Sequence, residues 1–161
     1  MNALLHWWLF GDIWWLSCTT YGLAVMTAIL PWFNAELLLL SLSPASRTPL
    51  DATLLVVAMT LGQMTGKCAI YWLSRRTALR PSPRLRSAID RWTARMQRHV
   101  AWAIAIVFVS AIFGMPPFYV VSIVAGAIRV PFGAFLMAGA GGRLVHFGAV
   151  AWLPQLIWKA I

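Results

Sequence analysis

The sequence from Ala101 to Ile128 reads AWAIAIVFVSAIFGMPPFYVVSIVAGAI and carries no charged residue. Near its middle it is interrupted by Gly114, Pro116 and Pro117. Proline inside a helix removes a hydrogen-bond donor and clashes with the preceding turn, so a continuous helix is disfavoured here. The stretch therefore predicts two apolar half-helices separated by a break.

A second apolar stretch, from Ile13 to Leu42, is interrupted at Pro31 and carries one acid, Glu36. Each broken stretch precedes a glycine-containing apolar segment with one base. These bases are Lys67 in LGQMTGKCAIYW and Arg143 in AGAGGRLVHFGAV. The pattern predicts two copies of one unit, in which a broken helix is followed by a spanning helix with a buried base.

The composition predicts an all-α integral membrane protein. The hydrophobic fraction is 61%, the mean hydropathy is +0.76, and only four of 161 residues are acidic. Soluble domains are closer to half apolar, and a membrane span needs about 20 residues. We expect one polytopic domain over residues 1–161. Its parts are an interfacial lead-in at 1–16, a first repeat at 17–74, a basic connector at 75–99 and a second repeat at 100–158.

The basic residues are concentrated in the connector. The net charge is +9, and eight of the 13 Lys and Arg lie between Arg75 and Arg98. Such clusters mark cytoplasmic loops and contact anionic lipid headgroups. We expect an amphipathic helix on the cytoplasmic surface of the membrane. Nucleic acid is not an expected partner, because no aromatic platform or groove-reading motif accompanies the bases.

Each break predicts either a re-entrant hairpin or a kinked span. Irregular backbone at membrane depth survives only where protein shields it or where it lines a wet cavity, so the hairpin interpretation implies an internal site. Two hairpins entering from opposite sides would make the halves inverted repeats, which is a recurrent transporter plan.

Three ionisable residues fall inside the apolar segments: Glu36, Lys67 and Arg143. A charge at that depth costs roughly 2.5–3.5 kcal/mol, so each is a candidate transport residue. A structural ion pair of Glu36 with either base is the alternative for the acid, and snorkelling to the interface is the alternative for Lys67. His146 shares a helical face with Arg143 and is either a fourth site residue or a satisfied buried histidine.

Four glycines are candidates for close helix packing. Gly62 and Gly66 are four residues apart and form a small-x-x-x-small pattern. The other two, Gly126 and Gly142, lie in the second repeat.

No motif for an enzyme is present. The sequence has no G-x-S-x-G, no H-E-x-x-H and no pair of carboxylates at helical spacing. Cys18 and Cys68 lack the spacing of a metal site. We therefore expect no catalytic residues, no cofactor and no metal.

The order of these features resembles the DedA family, also called the VTT or SNARE-associated Golgi protein family. The resemblance covers about Ala28 to Gly148. It is carried by LPWFNAELLLL, LGQMTGKCAIYWLSRR, the basic connector, FVSAIFGMPPFYVVSIVAGAIRVPFGAF and GGRLVHF. It implies two opposed re-entrant hairpins and movement of lipids between leaflets. By position, Glu36 matches the acid of the family's first hairpin, Arg143 a basic position of the last helix, and Gly126 the glycine after the second hairpin.

This chain departs from the family at the second hairpin. Many members carry two arginines around its proline, whereas here Ser110 and Ala111 precede GMPPFYVV and no base follows before Arg129. The departure puts proton-coupled transport of an anionic lipid carrier in doubt.

Our leading hypothesis is a lipid transporter or scramblase-like protein that moves phospholipid or polyprenyl-phosphate lipid, with membrane lipids as partners. A small-solute or ion transporter and a non-transporting assembly scaffold are the alternatives. A homo-oligomer is compatible with each of them.

Overall fold

The computed structural model describes residues 2–30, 35–42, 48–77, 87 and 100–160, with side chains described between 14 and 152. This part of the chain contains no strand, and the all-α prediction is confirmed for it. Pro31 and nearly all of the connector lie outside the described residues. The helices with described bounds are α1 (Asn2–Ile29), α2 (Ala35–Leu42), α3 (Pro49–Thr77), α4 (Val100–Phe113), α5 (Phe118–Ala127) and α6 (Phe132–Ala160).

Within the described residues, two helices are long and apolar enough to cross a membrane. They are α3 and, in α6, the part from Phe132 to Trp152. At 1.5 Å per residue, 29 residues extend for about 43 Å, which exceeds the roughly 30 Å of a hydrocarbon core. Length and composition thus support a membrane protein.

The start of α3 follows from its sequence. Pro49 occupies the first helical position, where the missing N–H is not needed. The Thr48 N–H donates to Oδ2 of Asp51 at 3.0 Å, and the Asp51 N–H donates to Oγ1 of Thr48 at 3.2 Å. This reciprocal pair satisfies donors that the first helical turn leaves open.

Helix α1 is longer than the predicted lead-in. It continues from Asn2 to Ile29 without a break at residue 16. The chain has no proline before Pro31, so no residue in this range removes a helical donor.

By contact density the chain forms two units, and the boundaries fall inside α3 and α6. Unit 1 is Met1–Gln63 with Phe147–Ile161, and unit 2 is Met64–His146. These units do not follow the predicted repeats at 17–74 and 100–158, and the repeat architecture stays a prediction.

Unit 1 packs α1 against the first half of α3. A Cβ at Gly62 would lie 2.7 Å from the Cβ of Ala24 and would also meet the carbonyl oxygen of Tyr21. The next residue in α3, Gln63, donates from Nε2 to Oγ1 of Thr27 at 2.6 Å, one turn further along α1 than Ala24. Gly66, the second glycine of the motif, is buried in unit 2.

Unit 2 is built around stacked aromatic rings. The Phe135 ring of α6 lies 4.9 Å from that of Tyr71 in α3 and 6.2 Å from that of Phe118 in α5. All three side chains are buried. Offset ring packing of this kind stabilises a core beyond its buried area.

Two glycines bring helices of unit 2 into close contact. A Cβ at Gly126 would meet the carbonyl oxygen of Tyr71 and lie 3.1 Å from the Cβ of Ser74, so α5 touches α3 there. At Gly142 it would lie 2.6 Å from the Cβ of Ala111 and 2.8 Å from the carbonyl oxygen of Phe108. Only a residue without a side chain allows α6 to approach α4 this closely.

Candidate functional site

The interruption in the apolar stretch from Ala101 to Ile128 falls at residues 114–117, between α4 and α5. Gly114 has a φ of 70°, a left-handed conformation that glycine adopts readily. Its N–H donates to the Ser110 carbonyl at 2.8 Å, and the Ser110 hydroxyl donates to the Pro116 carbonyl at 2.6 Å. Ser110, in α4, and Gly114, in the break, therefore fix the backbone conformation of the break.

His146 compensates for a donor that the break removes. In a regular helix the Ile112 carbonyl would accept from the N–H of residue 116, but Pro116 has none. Instead, Nδ1 of His146 donates to the Ile112 carbonyl at 2.6 Å. Because a carbonyl only accepts, this bond requires the proton on Nδ1 and, in the neutral ring, leaves Nε2 as an acceptor. The contact fits the satisfied-histidine interpretation and also attaches α6 to the break.

Lys67 lies against the start of α5. Its side chain is 5% exposed, and its Nζ is 5.2 Å from the ring centroid of Tyr119. An ammonium at this distance is attracted by the negative face of the ring. A buried ammonium over a ring does not fit the snorkelling alternative, in which the charge would extend to the interface.

Arg143, in α6, also lies over an aromatic ring at the start of α5. Its guanidinium carbon is 5.1 Å from the ring centroid of Phe118. Consecutive aromatic residues directly after Pro117 thus hold two cations, one from α3 and one from α6. Lys67 and Arg143 also lie within range of mutual electrostatic repulsion. A site with this much positive charge favours an anion.

Glu36 belongs to unit 1. It lies in the first turn of α2 and is exposed. A carboxylate in a first turn is stabilised by the positive end of the helix dipole, which gives the residue a local structural role.

An apolar groove runs between α4 and α6 in unit 2. It encloses about 520 Å³ and is lined only by apolar residues: Ala101, Ile104, Ala105, Phe108, Ala134, Met137 and Ala138. Such a surface accommodates hydrocarbon and offers no polar contact.

The described residues contain no group of three His, Cys, Asp or Glu side chains that could hold a metal ion.

Sequence reasoning missed the aromatic partners of the cations. Phe118 and Tyr119 were visible as the residues that follow Pro116 and Pro117. The sequence also spaces Lys67, Tyr71 and Arg75 four residues apart, which predicts that the three side chains share one face of α3.

No family model, curated protein or solved structure matches this chain. The DedA resemblance consequently stays a prediction from the motifs.

Proposed function

We propose that this protein is an integral membrane protein that moves phospholipid or polyprenyl-phosphate lipid between leaflets. The observation that carries the proposal is the pair Lys67 and Arg143, held over the rings of Tyr119 and Phe118 beside the α4–α5 break. A phosphate-bearing headgroup that leaves water needs nearby positive charge. The break adds irregular backbone directly before the two rings that contact these cations. The cations would bind the phosphate in transit.

In this proposal α4 and α5 form a re-entrant hairpin. Their 14 and 10 residues extend for about 21 and 15 Å, so neither helix alone crosses a core of about 30 Å. The two helices contact each other. The carbonyl of Ile123, late in α5, accepts from the Ser74 hydroxyl at 2.7 Å. This bond supports a return of α5 toward the membrane face where α3 ends.

The proposal extends this arrangement to the first half of the chain. There α1 and α2 would form the opposing hairpin around Pro31, and Glu36 would couple or gate the movement. The resulting pair of inverted repeats, the bacterial inner membrane and a cytoplasmic connector are the arrangement that the DedA resemblance implies. The apolar groove is suited to the acyl chains of a lipid whose headgroup lies at the cations.

The test is a dithionite assay of fluorescent-lipid movement in liposomes containing the purified protein. We expect Arg143→Ala and Glu36→Ala to slow movement while the helical content stays unchanged. Loss of one charge-assisted contact costs about 1.5–3 kcal/mol, so Arg143→Ala should reduce the rate at least about tenfold. The matched control is Arg76→Ala, which removes an exposed arginine from the last turn of α3.

Unchanged movement in both Arg143→Ala and Glu36→Ala would contradict the proposal. An equal loss in Arg76→Ala would also contradict it, because total charge rather than the pair Lys67 and Arg143 would then set the rate. Wild-type protein that moves no lipid but transports a small solute would favour the alternative transporter, and lipid should not copurify in that case.

A further inference from the structure

A second cationic cluster lies at the end of α3 and involves none of the four predicted transport residues. Arg75 donates from one terminal nitrogen to the Tyr71 hydroxyl at 2.7 Å, and that hydroxyl donates to the Val130 carbonyl at 2.5 Å. The Arg75 guanidinium also lies 5.4 Å from the ring centroid of Trp72. Tyr71 thus joins Arg75 to the turn between α5 and α6.

That turn holds Arg129 in an unusual conformation. Its φ is 59°, in the left-handed region. The Arg129 N–H donates to the Gly126 carbonyl at 3.1 Å, and the Val130 N–H donates to the Ala125 carbonyl at 3.0 Å. This is the bond pattern of a Schellman motif, in which glycine usually occupies the left-handed position. An arginine here has no local conformational advantage, and its side chain is exposed.

Both arginines have donors available for a ligand. Among the described residues Arg75 makes one hydrogen bond, although a guanidinium has five N–H donors. Arg129 makes no side-chain hydrogen bond or ion pair in the described part of the chain. Between residues 64 and 146 the sequence has a single acid, Asp90, and it lies outside the described residues. No described acid of unit 2 can therefore balance these charges.

We propose that Arg75 and Arg129 bind the phosphate of an anionic membrane phospholipid at the end of α3. The planar donors of arginine match the geometry of phosphate oxygens. The rings of Trp72 and Phe132 lie 5.5 Å apart beside the site, and Trp72 is 42% exposed. Aromatic side chains at a helix end are typical of the headgroup level of a bilayer, which favours a lipid over a soluble phosphate.

This site is separate from the proposed transport pair. Arg75 follows Lys67 by eight residues, which corresponds to about 12 Å along the helix axis. A lipid bound at Arg75 and Arg129 would be a resident ligand that attaches the α5–α6 turn to the interface. The proposal does not depend on lipid movement.

The test measures phosphatidylglycerol binding to the purified full-length chain in phosphatidylcholine-containing micelles, by native mass spectrometry. Arg129→Gly is the most informative variant, because glycine fits the left-handed position and should preserve or raise the thermal midpoint. Arg75→Gln removes the other cation. Arg76→Gln is the control for general surface charge, which contributes about fivefold in affinity per base.

We expect Arg129→Gly and Arg75→Gln each to weaken phosphatidylglycerol binding about tenfold more than Arg76→Gln does, the effect of losing a charge-assisted hydrogen bond. Equal weakening in all three variants would overturn the proposal, since it would show only a diffuse positive surface. Complete competition by inorganic phosphate would overturn the lipid assignment. Arg129→Gly with a preserved midpoint and unchanged binding would overturn it as well.

Discussion

Replacement of Gly142 by alanine tests the closest helix contact in unit 2. The added Cβ would lie 2.6 Å from the Cβ of Ala111 and 2.8 Å from the carbonyl oxygen of Phe108. Real Cβ atoms do not approach other atoms this closely, so α6 and α4 would have to separate. The obstacle includes backbone, which has no rotamer that relieves the contact.

Two opposing contributions set the size of the effect. Overpacking of a tight interface destabilises by typically 1–3 kcal/mol, whereas alanine in place of glycine inside a helix stabilises by roughly 0.5–1 kcal/mol. We therefore expect Gly142→Ala to lose about 1–2 kcal/mol. The matched control is Gly148→Ala in the same helix, because a Cβ there has open space within 4 Å. That control should gain about 0.5–1 kcal/mol.

The assay is thermal unfolding of both variants and the wild type in the same detergent, followed by circular dichroism. For a chain of this size each kcal/mol corresponds to about 2–4 °C. Gly142→Ala should therefore unfold about 2–8 °C below the wild type and Gly148→Ala above it. If both variants shifted in the same direction by the same amount, the proposed α4–α6 contact at Gly142 would be wrong.

Two further substitutions test individual hydrogen bonds. His146→Leu leaves the Ile112 carbonyl without its donor and should cost about 1–3 kcal/mol in unfolding free energy. It should also speed hydrogen exchange at the end of α4. A stability equal to that of the wild type would refute the contact. Tyr71→Phe removes the bond to Val130 and should cost a similar 1–3 kcal/mol. Tyr119→Phe is its control, since Tyr119 uses its ring face toward Lys67, and an equal loss in the two variants would count against a specific role for the Tyr71 hydroxyl.

The helix bounds that sequence could predict are those set by local chemistry. Pro49 and Asp51 are sequence signals for the start of α3, and the structure adds Thr48 as the partner of Asp51. The interruption at residues 114–117 was equally readable, because proline removes a donor in any context. The predicted end of the lead-in at residue 16 rests instead on Trp14 and Trp15, since paired tryptophans are typical of a membrane interface. Tryptophan position concerns the membrane surface and does not terminate a helix, so α1 continues to Ile29.

The side-chain partners could not be predicted in the same way. That Lys67 would meet Tyr119 depends on how α3 and α5 pack, and the two residues are 52 positions apart. The role of His146 depends on a carbonyl in another helix whose need for a donor becomes clear only when Pro116 and Ile112 are considered together. Local propensity carries no information on such pairs, because tertiary packing decides them.

The two proposed sites share one physical origin in α3. Lys67, Tyr71 and Arg75 are spaced four residues apart, so one face of the helix presents a cation, a tyrosine and a second cation. The buried cation is over the ring of α5, and the other is fixed at the helix end by the Tyr71 hydroxyl. In the proposed membrane arrangement, this single helical face offers positive charge both within the bilayer and at its surface, which suits a ligand that carries phosphate.

Two roles of Glu36 can be distinguished by experiment. In one it forms a structural ion pair with Lys67 or Arg143, and in the other it couples or gates lipid movement. Within the apolar segments of the sequence, Glu36 is the acid that could face these two bases. Outside the protein, lipid phosphate could supply negative charge to them. If Glu36 served as a structural counter-ion, its removal would take the partner from a cation and would lower the free energy of unfolding. If Glu36 instead couples or gates the movement, as proposed, Glu36→Ala should slow lipid movement and leave the unfolding temperature nearly unchanged. Unfolding temperature and transport rate measured on Glu36→Ala therefore distinguish the two roles. Loss of a structural ion pair lowers the unfolding temperature, whereas loss of a coupling residue lowers the transport rate alone.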